Sequence, residues 1–141
     1  MAFLTETDYA AIINPDDLEV VQASNDNNRL AMEQVAMEYI RGYTRSRYDM
    51  DYEFALEASE RNPKLVQVMI DEVLYHLHAT RQGRNFPEHR LLRKEQNDEW
   101  LDKVQRGRIN PGFKVLDDED GVSDPGVPFR LGSNTKNSSV W

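Results

Sequence analysis

The sequence predicts an all-α protein, a small bundle of four to five helices around a central helix, with a long extended C-terminal arm. Residues 62–81 carry apolar side chains over about half of a helix circumference, an arc wide enough for several neighbouring helices to cover. Helix-start residues precede the other periodic segments. From residue 111 onward the periodicity stops, and glycine and proline become frequent. We therefore expect a helical domain over residues 1–110 and an arm over residues 111–141.

Three helices are predicted before residue 46. Thr5, followed by acidic residues, predicts the cap of a short helix that ends near residue 13. Pro15 opens a second short helix that ends near residue 23. The third helix starts at residue 26 or 27 and continues to residue 45 or so, because apolar side chains recur there at helical spacing. Residues 46–59 have no clean period. They could form a short strand or a partly helical connection, and we expect a loop that packs its aromatic side chains inward.

Two longer helices follow. Pro63 suits the first position of the central helix, and Gly83 supplies its stop. On this helix the polar residues, Asp71 among them, fall on the strip opposite the apolar arc. Pro87 opens the last helix and Gly107 ends it.

Length and composition limit the class of protein. A chain of 141 residues is enough for one domain with one core. Its mean hydropathy of −0.74 is low for a self-contained globule, so we expect part of the chain to become ordered only against a partner. The absence of cysteine excludes disulfides and thiolate metal sites and fits a reducing compartment. No run approaches the roughly 20 apolar residues of a membrane span, and the N-terminus lacks the basic region of a signal peptide. These features predict a soluble protein made in a cytoplasm.

The charges are unevenly distributed along the chain, although the net charge is −8. Residues 1–40 carry eight acidic residues and one arginine, whereas residues 81–94 carry five basic residues and one glutamate. The split could reflect only solvated faces, or it could supply complementary charge between neighbouring subunits. The acidic balance argues against general nucleic-acid binding.

Candidate catalytic and metal-binding residues are few. His76 and His78 lie two apart on the central helix and point in nearly opposite directions, so they cannot chelate one metal together. Glu72 is an i,i+4 neighbour of His76, but a third ligand or a nucleophile at recognisable spacing is lacking. The acidic run 117–120 does not match a calcium loop, because apolar residues would occupy its first and last ligand positions. We expect no enzyme activity, no metal and no cofactor.

One basic cluster contains aromatic residues as well. Arg41, Arg45 and Arg47, named here the arginine cluster, lie beside Tyr43 and Tyr48. Such a cluster could contact nucleic acid. It could equally mark the end of a helix, where arginines favour the negative end of the helix dipole.

The predicted arm is more apolar than a purely solvating tail. Phe113, Phe129, Leu131 and Trp141 are spread along it among glycine, proline and acidic residues. A disordered tail is one reading. We favour an arm that becomes ordered on a partner.

Five stretches of the chain together resemble one known family. They are AFLTETDYAAII, IRGYTRSRYD, VQVMIDEVLYHLHAT, NFPEHRLLRKEQNDEWLDKVQRGRINP and FRLGSNTKNSSVW. Their order and spacing are similar to those of the Mu-like prophage neck proteins, a family of phage head–tail connectors. The resemblance covers most of the chain, while the acidic run 117–120 and the length of the arm depart from the family pattern.

This resemblance implies a virion structural protein. Proteins of this kind are head-completion adaptors, which form a ring of about twelve small helical subunits between portal and tail and extend the DNA channel. It implies the portal protein and tail or tail-terminator proteins as partners, and a place in the virion neck after synthesis in the host bacterial cytoplasm. The acidic N-terminal segment and the basic segment 81–94 could supply the ring faces. The arm residues expected at an interface are Phe113, Phe129, Arg130, Leu131 and Trp141. The candidates for a ring interface or the DNA channel are the arginine cluster, Arg90 and Arg93.

Two other functions remain open from the sequence. A small helical DNA-binding or packaging regulator would use the arginine cluster. A metal-dependent hydrolase would be built on Asp71, Glu72 and His76.

Overall fold

The computed structural model describes residues 3–80 and 87–116, and within these ranges it confirms the all-α class. Gly83 and the arm residues Phe129, Arg130, Leu131 and Trp141 lie outside the described residues. Six α-helices are present in the described ranges, with a single 3-10 turn at Ala58–Glu60. They are α1 (Glu6–Ala10), α2 (Pro15–Val21), α3 (Asp26–Thr44), α4 (Met50–Ala55), α5 (Pro63–Thr80) and α6 (Glu88–Gln105).

The helix starts follow from local side chains. Thr5 and Asp8 form a reciprocal capping box at α1, in which each side chain accepts a backbone N–H of the other residue. Asn14 caps α2 ahead of Pro15, and Asn25 caps α3. These contacts satisfy N–H groups that have no partner inside the helix. The predicted starts of α1, α2 and α3 are therefore confirmed.

The central position of α5 is also confirmed. It packs against α3 and α6, and it contacts α1 and α2 as well. Nine of its eighteen residues are buried, and α3 contributes Ala36 and Ile40 to the same core while α6 contributes Leu101 and Val104. Two of the nine buried residues are Asp71 and Glu72. The prediction that Asp71 lies on an outward polar strip is wrong, because α6 covers that strip.

The predicted loop over residues 46–59 contains a short helix. Asp49 caps α4 by accepting the backbone N–H of Tyr52. Met50 and Phe54, an i,i+4 pair, are both buried, and the ring of Phe54 lies edge-on to that of Phe3. A helix of six residues has little stability alone, so this packing holds it in place. Its aromatic side chains do not all point inward, since Tyr52 is exposed.

The helical body extends into the predicted arm. Phe113 is 5% exposed, with its ring edge-on to those of Tyr48 and Trp100. Val115 and Tyr48 form an isolated antiparallel bridge, and the carbonyl of Lys114 accepts the N–H of Asp49 at 2.7 Å. Residues 113–115 of the predicted arm therefore pack against the helical body.

We predict that Phe113→Ala lowers the free energy of unfolding by about 3 kcal/mol, because it leaves a cavity between two aromatic rings. Urea denaturation measures the change. Leu92→Ala is the control, since Leu92 is an exposed leucine of α6 and should cost less than about 1 kcal/mol. Equal losses for the two variants would show that residues 111–116 are not part of the folded body.

Candidate functional site

Two adjacent carboxylates lie inside the helix bundle. Asp71 is 1% exposed and Glu72 is 0% exposed, although they follow each other on α5. Burying an ionised carboxylate costs several kcal/mol unless charged or hydrogen-bonding partners compensate. Both face partners on α6, and we call the set the buried polar seam. Its members are Gln67, Asp71, Glu72, His76, Arg90, Arg93, Lys94, Asn97 and Asp98.

Asp71 is fully compensated by donors. Its Oδ1 lies 3.0 Å from the Nε of Arg93, and its Oδ2 accepts the amide of Asn97 at 2.9 Å. The amide of Gln67, one turn earlier on α5, also donates to Oδ2. Arg90 Nη1 lies 3.9 Å from Oδ1. Three successive turns of α6 therefore converge on one carboxylate of α5.

Glu72 is compensated differently. The Nζ of Lys94 lies 3.5 Å away, and the Nε2 of His76 lies 3.8 Å away. Neither carboxylate oxygen of Glu72 forms a hydrogen bond with a described residue. Lys94 instead donates to Asp98 at 2.7 Å, and its ammonium group lies over the ring of Tyr39, 4.4 Å from the centroid.

The pKa values of this group shift accordingly. Burial, with the neighbouring carboxyl of Asp98, raises the pKa of Glu72 to about 8 against the opposing effect of Lys94. Burial and the charge of Lys94 lower the pKa of His76. For Lys94, burial disfavours the charged form, but Asp98 and Glu72 outweigh it and raise the pKa. Near neutral pH the pair therefore consists mainly of a protonated glutamate and a neutral histidine.

A protonated carboxyl beside a neutral imidazole could exchange a proton, which is acid–base chemistry. The carboxyl of Glu72 is nevertheless enclosed on all sides, so a substrate cannot reach it in this conformation. Within residues 3–80 and 87–116, no group of three His, Asp or Glu side chains is arranged to hold a metal ion. The main effect of the seam is therefore to hold α6 against α5.

Arg90 and Arg93, predicted as interface or channel residues, belong to this seam. Arg90 is 6% exposed, while the Arg93 side chain is partly exposed with its Nε directed at Asp71. Lys94 is directed at Glu72 and Asp98. The three described cations of segment 81–94 are thus engaged inside their own chain. A signal was present in the sequence: Arg90, Asn97, Leu101 and Val104 recur at helical spacing, as one buried face requires.

The arginine cluster lies at the end of α3, as predicted, but its members have partners. Arg41 Nη2 pairs with Asp51 at 3.1 Å, and its guanidinium lies over the ring of Phe54. Arg45 pairs with Glu38, which also lies near Arg41. Arg47 donates from Nε to the carbonyl of Gln105 at 3.0 Å. Arg41 and Arg45, together with Asp49 and Leu116, border a cavity of about 400 Å³ that carries charges of both signs.

A second cavity, of about 490 Å³, opens between α1, α2 and the start of α3, and we call it the N-terminal groove. Its apolar lining includes Ile13 and Leu18. The carboxylates of Glu6, Glu19 and Asp26 also line it. The acidic N-terminal segment thus has a concave surface as well as a charge.

The floor of the N-terminal groove contains Arg29. Its guanidinium lies over the ring of Tyr9 and near Glu33, and its Nη1 contacts the amide oxygen of Gln22 at 3.5 Å. Tyr9 in turn donates to Glu33 at 2.7 Å. This guanidinium pairs with Glu33 and, at 3.9 Å, with Asp26 of the lining, and it forms no ion pair with Glu6 or Glu19.

Comparison with known proteins identifies no match: no family model fits the chain, and neither a curated protein nor a solved structure is significantly similar to it. None of the helices in the described ranges has the length and apolar character that a membrane crossing requires.

We predict that Glu72→Gln removes a pH dependence of stability. The unfolded glutamate has a pKa of about 4.5 and the folded one about 8, so the protonated form stabilises the native state fully below pH 4.5. This contribution is lost as the pH rises towards 8, by at most about 1.4 kcal/mol per pH unit. The free energy of unfolding of the wild type should therefore fall relative to that of the variant as the pH rises from 5 to 8. Urea denaturation at several pH values measures the difference. Glu95→Gln, in an exposed glutamate of α6, is the control, and parallel curves for wild type and Glu72→Gln would contradict the shift.

Proposed function

We propose that this chain is a virion structural protein, a head–tail connector that forms a ring between the portal and the tail of a phage. The proposal comes from the ordered resemblance of five stretches to the Mu-like prophage neck proteins. The structure adds one supporting observation, which is the position of the described residues of these stretches in the folded body. A resemblance scattered over exposed loops would carry little weight for the fold.

The residues that carry the resemblance build the described body. Tyr48 of the RYD stretch forms the bridge to Val115, and Asp71 of the central stretch is the centre of the buried polar seam. Leu101 of the last helix is fully buried. Gly107 has φ of 77°, a conformation that favours glycine; its N–H donates to the carbonyl of Val104, and the N–H of Arg108 donates to that of Lys103. The resemblance therefore concerns the packing of a small helical body, which is what a subunit of a ring requires.

The surface of the body suits assembly with other copies. A ring needs two different faces on each subunit, one for each neighbour. The α1–α2 surface is acidic and concave, whereas Leu91 and Leu92 expose apolar side chains at the start of α6. Residues 117–141 follow Leu116 and contain further large apolar residues, Phe129, Leu131 and Trp141 among them. These features support an assembling protein whose virion neck location we infer from the resemblance.

DNA binding is the alternative. The acids beside Arg41 and Arg45 reduce the positive potential that duplex DNA would meet. We therefore place the chain's main function in protein assembly, with any contact to packaged DNA non-specific.

The test is electron microscopy of the protein mixed with the portal protein of the same genome. The chain should form a ring stacked on the portal, with its C-terminal segment ordered in the assembly. A variant truncated after Leu116 is the sharpest comparison, because it keeps the buried Phe113, whereas a cut at residue 110 would also damage the core. We expect the truncated body to keep its thermal unfolding and to lose stable ring formation.

Two outcomes would contradict the proposal. One is a full-length protein that stays monomeric and ignores the portal. The other is salt-sensitive duplex binding that falls when Arg41 and Arg45 become alanine, which would favour the regulator. The double variant Lys103→Ala and Arg106→Ala, in two exposed cations of α6, is the matched control for lost charge.

A further inference from the structure

Two of the three acidic side chains that line the N-terminal groove have no ion-pair partner among the described residues. Glu6 and Glu19 form no ion pair with any residue in the described ranges, and Asp26 has only Arg29 at 3.9 Å, with most of its own side chain exposed. Exposed carboxylates around an apolar concavity are a surface that a cationic, partly apolar segment would complement. The groove therefore specifies the chemistry of an occupant.

The basic segment 81–94 of a neighbouring copy is a poor occupant. Arg90, Arg93 and Lys94 are directed at Asp71, Glu72 and Asp98 of their own chain. Withdrawing them would leave buried carboxylates uncompensated, at a cost of several kcal/mol. The complement must come from elsewhere.

The C-terminal segment of the chain has the required composition. After Asp124 the sequence contains Arg130 and Lys136 and no acidic residue. Residues 127–131, VPFRL, place Arg130 between the apolar residues Phe129 and Leu131. A cation flanked by two large apolar side chains matches an apolar cavity with an acidic rim.

The segment after Leu116 is long enough to reach a groove of this kind. The described chain ends at Leu116, beside Arg41 and Arg45 at the C-terminal end of α3, whereas Asp26 and Arg29 place the groove at the other end. A helix of the length of α3 separates the two ends by about 28 Å. The thirteen residues from Leu116 to Phe129 can span at most about 45 Å, which covers this distance. A neighbouring copy is taken as the source because the proposed ring needs a heterologous contact between subunits.

We propose that residues 127–131 of one copy dock in the N-terminal groove of the next copy, with Phe129 and Leu131 on the apolar lining and Arg130 against the acidic rim. This inference rests on the proposed ring and names the contact that joins its subunits. It makes the contact heterologous, because the groove and the segment are different surfaces of the same chain.

Disulfide cross-linking tests the contact, because the chain has no cysteine of its own. A full-length Thr7→Cys variant, with its cysteine in the groove, is mixed with a Gly132→Cys variant, with its cysteine just after the docking segment. The mixture is oxidised with and without the portal. Mixed dimers should form at least about tenfold faster than with Gln34→Cys, which is exposed on α3 outside the groove. Adding Glu19→Lys to the groove variant should lower the yield, whereas adding Asp17→Lys, an exposed acid of α2 outside the groove, should not.

The outcomes separate this inference from the neck function. Equal cross-linking of Thr7→Cys and Gln34→Cys would overturn it, even where microscopy shows rings on the portal. So would a Thr7→Cys/Gly132→Cys double variant that cross-links only within single chains. Mixed dimers specific to Thr7→Cys would support the contact even if the portal is not bound, and the neck function would then fail alone.

Discussion

The buried carboxylate of Asp71 lies in the middle of the central helix, and polar side chains of α5 and α6 are arranged around it. Arg93 and Asn97 of α6 and Gln67 of α5 supply the donors. Leaving such a group without partners costs several kcal/mol, so α6 cannot slide or rotate freely against α5. Apolar packing alone tolerates small shifts, whereas hydrogen bonds to one carboxylate do not. The seam thus fixes the register of the two helices on which the core depends.

The same seam explains which surfaces remain available for partners. The described basic residues of segment 81–94 pair with acidic residues inside the chain, whereas Glu6 and Glu19 of the N-terminal groove form no ion pair with a described residue. The aromatic contacts of Phe113 close the body and bring the described chain to its end beside the arginine cluster.

The sequence predicts well what local chemistry decides. Thr5, Pro15 and Pro63 mark helix starts because capping and proline geometry act within a few residues, and the apolar arc of α5 reports its central position. It fails where a distant element decides. Asp71 is polar and is therefore expected at the surface, but α6 covers it. Phe113 is expected in the arm, but Tyr48 and Trp100 enclose it. The helix Met50–Ala55 is too short to show a clear apolar periodicity in the sequence, and packing of Phe54 stabilises it. The sequence predicts which arginines are candidates, but it does not predict their partners on other helices.

The central claim is that α6 compensates the buried charge of Asp71, and a double-mutant cycle between Asp71 and Arg93 tests it most directly. Stability is measured for the wild type, Asp71→Ala, Arg93→Ala and the double variant. The account predicts a coupling free energy of about 1 kcal/mol or more, with the double variant more stable than the sum of the single losses implies. A coupling below about 0.3 kcal/mol would mean that the two groups act independently, and it would contradict the role of the seam in holding α6.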